Sequence, residues 1–330
     1  MEKVVWGILG AAKIGIEKVI PAMQKGKYSE IKAIASRSID KAQEAAKITS
    51  VPVAYGSYDE LLKDDEINAI YIPLPNHLHV DWTMRCVKAG KHVLCEKPLA
   101  LNSAEAKKLI DFLKDYPDIK VMEAFMYRHH PQWTKIQELV ESGIIGELKT
   151  INSFFSYYNV NSENIRNKPE IGGGGLMDIG CYCISIARFL FDKEPNRVCG
   201  IVDFDPEMKI DRMASGLMDF GNGTTSTFTC STQLDYYQRA HIHGTKGKIE
   251  VELPFNPQSD VPAKIWLKNG DDIQEISFDV VDQYTIQGDL FSQAILQNKK
   301  VPTPIEDGLA NMKVIDAIFN SASISEWVNI

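Results

Sequence analysis

The run Val4–Leu9 is apolar throughout. A strand without polar alternation must be buried on both faces, which confines it to a sheet covered by helices on either side. It leads directly into Gly10-Ala-Ala-Lys-Ile-Gly15, the G-x-G-x-x-G spacing with Ala12 at the second glycine. The first glycine permits a tight turn and the third permits close packing of helix on strand. The middle position must let a pyrophosphate approach the backbone, and alanine is the least costly departure there. Taken alone, the motif reads either as a tight strand-to-helix turn or as a dinucleotide site, with Gly10, Ala12, Lys13 and Ile14 as candidate cofactor contacts. Pro21 predicts a kink or an early end to the following helix.

The alternation continues along the first half. Ile31–Ala35 reads as a strand ending in Ser36-Arg37-Ser38. An acid at this distance past the glycines would grip the ribose 2′-hydroxyl of NAD. A serine and an arginine stand there instead, and a guanidinium suits the 2′-phosphate of NADP. NADP is therefore the expected cofactor ahead of NAD, although Arg37 could also simply solvate the loop. Asp40–Lys47 continues as a helix. Asn68–Ile72 is a strand whose exit loop, Pro73-Leu-Pro-Asn76-His-Leu-His79, precedes a helix from Val80 to Ala89 stopped by Gly90. His92–Cys95 is a strand that breaks at Glu96-Lys97-Pro98. Lys97 there is either an ordinary strand-end lysine or a fixed charge at the sheet edge where ligands sit. Asn102-Ser103 caps a further helix to Lys114, and Lys120–Glu123 is the sixth strand. The pattern predicts a doubly wound parallel sheet with right-handed crossovers.

The 330 residues allow two domains, with a linker expected near Glu123–Tyr127 dividing 1–123 from 124–330. A net charge of −8 argues against a general nucleic-acid or acidic-membrane binder. No apolar run is expected to span a bilayer, and Met1-Glu-Lys leads straight into a strand without a signal peptide. The six cysteines are scattered, with no Cys-x-x-Cys. They read as small buried residues of a cytoplasmic protein, with no metal site.

In the second half, Arg128-His-His-Pro131 leads into a helix ending near Glu141, and the adjacent His129 and His130 would diverge. Leu148–Tyr158 has strand composition, and Asn159–Glu170 reads as a polar loop. Gly172–Gly175 denies the chain side chains and allows close backbone approach to a ligand, or forms a flexible turn. Leu176–Phe191 follows with helical spacing, so Asp178 and Tyr182 share a face near its start. By periodicity alone they are a helix-start carboxylate and a core aromatic. Strands are expected at Val198–Asp203, Ala214–Phe220, Thr224–Thr232, Arg239–His243, Lys248–Leu253, Lys264–Leu267 and Gln274–Phe278. Turns are expected at Gly221-Asn-Gly223 and Gly244-Thr-Lys-Gly247, and helices at Tyr284–Gln297 and Asp307–Ser321. A sheet with helices on one face can cover the other with a second copy, which predicts a homodimer.

Gly10-x-Ala-x-x-Gly15, Pro75-Asn-His-Leu-His79 and Ala89-Gly-Lys-His-Val-Leu-Cys-Glu-Lys-Pro98, in that order and at these intervals, closely resemble the glucose–fructose oxidoreductase / inositol dehydrogenase / MocA family. The resemblance implies an N-terminal Rossmann domain and a C-terminal α/β domain built on a large, mostly antiparallel sheet. It implies oxidation or reduction of a sugar, sugar derivative or cyclic diol with NADP. It also implies that Lys97 lies at the active site, that Glu96 and a cis Lys97-Pro98 bond shape the nicotinamide end, and that Leu74, Pro75, Asn76 and His79 line the cofactor cleft. Members commonly place His four residues after the Asp equivalent to Asp178. Tyr182 instead resembles the branch of glucose–fructose oxidoreductase and dimeric dihydrodiol dehydrogenase. The expected chemistry makes Tyr182 the acid/base, Lys97 the cation that favours its phenolate, and Asp178 an orienting carboxylate. A nucleotide-linked keto-sugar reductase and a non-catalytic NADP-binding redox sensor are the competing readings.

Overall fold

Val4–Leu9 forms β1, buried along its length except at Val5, as its unbroken apolarity demands. It lies inside a parallel sheet with β2 (Ser29–Ala35), β3 (Val53–Tyr55), β4 (Ala69–Ile72), β5 (His92–Cys95) and β6 (Val121–Glu123). The order is β3-β2-β1-β4-β5-β6. Strand order therefore reverses between β1 and β4, and the crevice at their carboxyl ends is where such sheets take ligands. The three-residue β3 is half-buried at every position, too short and too mixed to stand out in the sequence.

This computed structural model describes residues 2–330, which fall into two compact units. The first takes in residues 1–126 and also Asp282–Leu309, and the second takes in Tyr127–Val281 and Ala310–Ile330. The division differs from a single cut after residue 123 because the helix Gln283–Leu296 completes the first core. Its Phe291 ring lies 5.6 Å from the Trp6 ring, and Ser292 Oγ accepts the Trp6 indole N–H at 3.2 Å. Asp289 accepts the backbone N–H groups of Lys27 and Tyr28 at 3.0 and 2.9 Å. Gly288 leaves no room for a side chain, since a Cβ there would stand 2.9 Å from Met23 Cγ.

Gly15–Val19 winds as a π turn, with the Ile20 N–H bonded to Gly15 O, before the α-helix Ile20–Gln24. The wide turn directly precedes Pro21, which has no N–H and would press on the carbonyl four residues back. The short helix is the early end expected there. Asn102 caps Ser103–Leu113 by accepting the Glu105 N–H at 2.9 Å, and Gly90, at φ +74°, ends His79–Lys88.

The second unit is built on nine strands: β7 (Leu148–Tyr158), β8 (Arg197–Phe204), β9 (Asp211–Asp219), β10 (Thr225–Ser231), β11 (Gln233–Gly244), β12 (Gly247–Val251), β13 (Lys264–Asn269), β14 (Asp272–Ser277) and β15 (Val328–Asn329). Their order is β14-β13-β12-β11-β7-β10-β9-β8-β15, and only β7 and β10 pair in parallel. The inner face carries Phe155, Phe228 and Cys230 under the helical run Leu176–Phe191. The run Pro169–Phe191 is long and apolar enough to cross a membrane by composition, contrary to expectation, but 83% of its apolar 18-residue window is buried inside the protein. It is the core helix of this unit.

Replacing Phe291 with alanine is expected to cost about 3–5 kcal/mol of stability, read from urea unfolding. A loss below about 1 kcal/mol, the range of an ordinary surface change, would mean that the returning helix does not complete the core.

Candidate active site

The carboxyl ends of β2, β1, β4 and β5 are neighbours in the first sheet, and nearly all the expected cofactor residues stand on them. After β1, Gly10 adopts φ +116° and donates its N–H to Ala35 O at 2.9 Å, which ties the turn to β2. Ala12 O accepts the Ile16 N–H at 3.1 Å at the start of the helix. Lys13 is exposed, with a loose 3.8 Å ion pair to Glu17, while Ile14 packs partly buried on the core. After β2, Ser36 is buried and Arg37 is exposed. After β4, Leu74 is buried while Pro75 and Asn76 are half-buried.

After β5, Glu96 Oε1 accepts the Tyr71 hydroxyl at 2.6 Å, so a buried phenol on β4 fixes the carboxylate next to Lys97. Burial, followed by the charge on Glu96, holds the Tyr71 phenol well above its ordinary range, so it remains a donor. Lys97-Pro98 is a cis peptide, and Lys97 is half-buried.

His79 departs from the expected role. It is fully buried, with Nδ1 2.8 Å from Pro98 O and Nε2 2.7 Å from Leu74 O. Burial pushes the ring down to about 4, against the pull of the two carbonyls that face its nitrogens. It staples the loop after β4 to the turn after β5 and does not line a cleft.

In the second unit the helix begins with a π turn, Leu176–Gly180, and continues as α through Cys181–Phe191. It is matched to β7. Asp178 meets Tyr157 and Tyr182 meets Phe155, whose rings are 5.9 Å apart. Four residues of helix rise about 6 Å and two residues of strand about 6.6 Å, so the two pairings fall in register. Tyr182 is 5% exposed and also packs on Tyr127 and Phe255, at 5.8 and 5.4 Å between centroids. Asp178 Oδ2 accepts the Tyr157 hydroxyl at 2.6 Å and Arg166 Nε at 3.0 Å. Burial and then the Asp178 charge raise Tyr157 well above the usual phenol range, and Asp178 raises Arg166 further above its own. Tyr157 is thus a neutral donor and Arg166 a permanent cation.

The glycine run serves its own chain. Gly174, at φ +120°, donates its N–H to Arg166 O at 2.8 Å, and a Cβ on Gly173 would stand 2.6 Å from that same oxygen. On the other side, a Cβ on Gly174 would collide with Asp211 Oδ1. Asp211 is 3% exposed and accepts the Leu176 N–H at 2.5 Å. The close backbone approach read from the sequence is therefore made to Arg166 and Asp211. Neither of these residues, nor Tyr157, was singled out from the sequence. Their partners lie 12, 35 and 21 residues away, and nothing local marks them.

Two stretches of the sequence match known protein families. Residues 4–125 match the oxidoreductase family with an NAD-binding Rossmann fold, and residues 133–250 match the GFO/IDH/MocA C-terminal domain. The chain is 44% identical to an uncharacterized oxidoreductase of Rhizobium meliloti, covering 100% of both chains. It is 36% identical to the D-xylose 1-dehydrogenase (NADP(+)) 2 of Haloferax volcanii, over 98% of this chain and 99% of that one. A 3-ketoreductase from Actinomadura kijaniata, solved in complex with NADP and TDP-benzene, superposes with a TM-score of 0.91 at 27% identity, covering 97% of this chain and 98% of that one.

Burial raises the Asp211 carboxyl from 3.8 to about 7, the backbone N–H groups of Leu176 and Gly175 pull it down, and Asp178 adds to the rise. Between about pH 4 and 7 the folded state therefore binds more protons than the unfolded state, and stability from this group falls as pH rises. Asp211→Asn has no such dependence. Its stability relative to wild type is expected to rise across that window by up to about 4 kcal/mol, whatever constant offset the lost charge-assisted hydrogen bonds impose. Parallel stability–pH curves for the two proteins would show that Asp211 titrates normally.

Proposed function

Because the chain belongs to the GFO/IDH/MocA family of oxidoreductases, we propose that it transfers a hydride between NADP and a hydroxyl-bearing carbon of a sugar, a sugar derivative or a cyclic diol. The observation that carries this reading is the clustering of the Gly10 turn, Ser36-Arg37, Asn76 and Glu96-Lys97 on adjacent carboxyl ends of one parallel sheet. The residues fit the cofactor. The Gly10 turn opens a helix whose backbone N–H groups suit a pyrophosphate. The end of β2 offers the Ser36 hydroxyl and an exposed guanidinium, with no carboxylate to repel a 2′-phosphate. When bound, the nicotinamide supplies the hydride acceptor or donor.

The chain's own residues move the proton. In the oxidising direction Tyr182 Oη, as phenolate, takes the substrate hydroxyl proton, and in the reducing direction it returns that proton to the carbonyl oxygen. Lys97, fixed between Glu96 and Pro98, contributes a cation that anchors a substrate oxygen. Asp178, held by Tyr157 and Arg166, has its lone pairs directed by the protein and acts as an orienting group. The aromatic wall of Tyr127, Phe155 and Phe255 around Tyr182 shields the ring from water, which by itself disfavours the phenolate, so its ionisation depends on the charges near it.

The same reading includes association of two copies through the outer face of the second sheet, which supports it by exposing Ile201 and Tyr237 at 74% and 45%. It also includes a cytoplasmic location, with which six cysteines, five of them buried, are in keeping.

The purified protein is expected to reduce NADP in the presence of an aldose such as D-xylose or of a cyclic trans-diol. Tyr182→Phe should lower kcat by about 100-fold or more with NADPH affinity unchanged. Near-full turnover in that variant would remove Tyr182 from the acid/base role. Arg37→Ala should raise KM for NADP by roughly 10-fold or more, as the loss of charge-assisted hydrogen bonds does, and leave KM for NAD nearly unchanged. Equal effects on both cofactors would refute the 2′-phosphate assignment.

A further inference from the structure

Asp178 stands one helical turn before Tyr182. A bare carboxylate so placed opposes ionisation of the phenol, because like charges repel. The acid/base step asks for the reverse. The second unit contains a counter-charge in Arg166, whose Nε donates to Asp178 Oδ2 at 3.0 Å. The guanidinium thus bears on the carboxylate that would oppose the phenol.

Its placement is built. Arg166 lies in a short 3-10 turn, Ile165–Asn167, where its own N–H is capped by Asn164 Oδ1 at 3.0 Å. Asn167 Nδ2 donates to Asn161 O at 2.9 Å and holds the loop closed. Arg166 O receives the Gly174 N–H at 2.8 Å, and Gly173 is bare where a side chain would strike it. The backbone of Arg166 is therefore fixed to the start of the helix that carries Asp178, independently of its side chain.

We infer that Arg166 is a positioning residue for proton transfer: it neutralises Asp178 and holds it in place, so that the carboxylate does not oppose ionisation of Tyr182. The inference rests on the acid/base reading of Tyr182. Asp178 shares a helix with Tyr182 and accepts from Tyr157 on β7, Tyr127 from the segment after β6 packs on the Tyr182 ring and accepts Arg128 Nε at 3.4 Å, and the Asp178 charge adds to the rise of Asp211 on β9. Phe155 and Phe255 carry no charge. Tyr157 donates to Asp178 but remains neutral, whereas Arg166 brings a cation to that carboxylate and Arg128 brings a second guanidinium to the Tyr127 hydroxyl. The polar loop Asn159–Glu170 thereby gains a role in the chemistry as well as in covering the helix start.

Two measurements test this on the full chain. The first needs neither cofactor nor turnover. Tyrosinate absorbance is titrated in wild type, Arg166→Gln, Arg166→Lys and Tyr182→Phe, and the Tyr182 contribution is the difference from the phenylalanine variant. In Arg166→Gln that contribution is expected about one pH unit or more higher than in wild type, with Arg166→Lys between them because it retains a charge but not the guanidinium geometry. The second is the pH profile of kcat with NADP and an aldose. Its limb should move in the same direction in Arg166→Gln, with kcat near pH 7 down about 10-fold, as a shift of that size dictates, and with NADPH affinity within about twofold of wild type. An unmoved tyrosinate titration in a folded Arg166→Gln protein overturns the inference, as does a uniform loss of kcat without a shift. If Arg166→Gln does not fold, an Arg166→Lys titration identical to wild type, together with an unmoved profile and a lower kcat, equally overturns it. Full turnover in Tyr182→Phe would instead sink the acid/base reading itself, so the two failures are distinct.

Discussion

A parallel sheet satisfies its backbone groups along the strands and leaves them open at the strand ends. Everything chemical in the first unit follows from that constraint. The carboxyl ends of β1, β2, β4 and β5 lie side by side in the sheet order, and β1, β4 and β5 each run into a residue that a continuing strand could not accommodate. Gly10 takes a positive φ, Pro73 and Pro75 cannot donate, and Lys97-Pro98 turns the chain by a cis bond. His79 then ties two of these ends together by reaching both Leu74 O and Pro98 O from a fully buried position. A histidine that looks like a ligand contact in the sequence acts here on the backbone, where it fixes the loops that present Asn76 and Lys97.

Much of this was legible because its causes are local. Continuous apolarity marks a strand buried on both faces, a glycine before a helix marks a tight turn, and Asn102 followed three residues later by Glu105 marks a cap. The second sheet was legible for the same reason, although β11 begins at Gln233, well before the expected Arg239. Its first half, Leu234–Tyr237, is exposed at every residue and so lacks the alternation that betrays a strand. What the sequence hid is long-range. The indole of Trp6 finds its acceptor 286 residues away, so the return of Asp282–Leu309 to the first unit has no signal near either end.

The residues proposed for the substrate side divide in the same way. Asp178 and Tyr182 stand out in the sequence because they sit on one helix at a spacing that family resemblance makes meaningful. Arg166, Tyr157 and Asp211 were not, because each acts across a loop or between elements. The glycine run is the instructive case. Bare backbone invites the reading of an approach to a ligand, yet its neighbours are the Arg166 carbonyl on one side and the Asp211 carboxylate on the other. Removal of side chains there makes room for parts of the protein that hold the helix start in place.

Both units solve the same problem in the same way. A glycine turn is followed by a π turn, Gly15–Val19 in one and Leu176–Gly180 in the other, before the α-helix proper. A π turn widens the helix and rotates its first residues relative to those that follow, and such turns recur at functional sites. In the second unit the widening falls on Asp178, at the point where a carboxylate must face Arg166 and Tyr157 while Tyr182, one turn on, faces an aromatic wall. A regular α-helix would stack the two side chains more directly and press the negative charge toward the phenol. Together, the widened turn, the bare glycines and the cation on the loop keep a carboxylate close to Tyr182 without setting it against the ionisation of Tyr182.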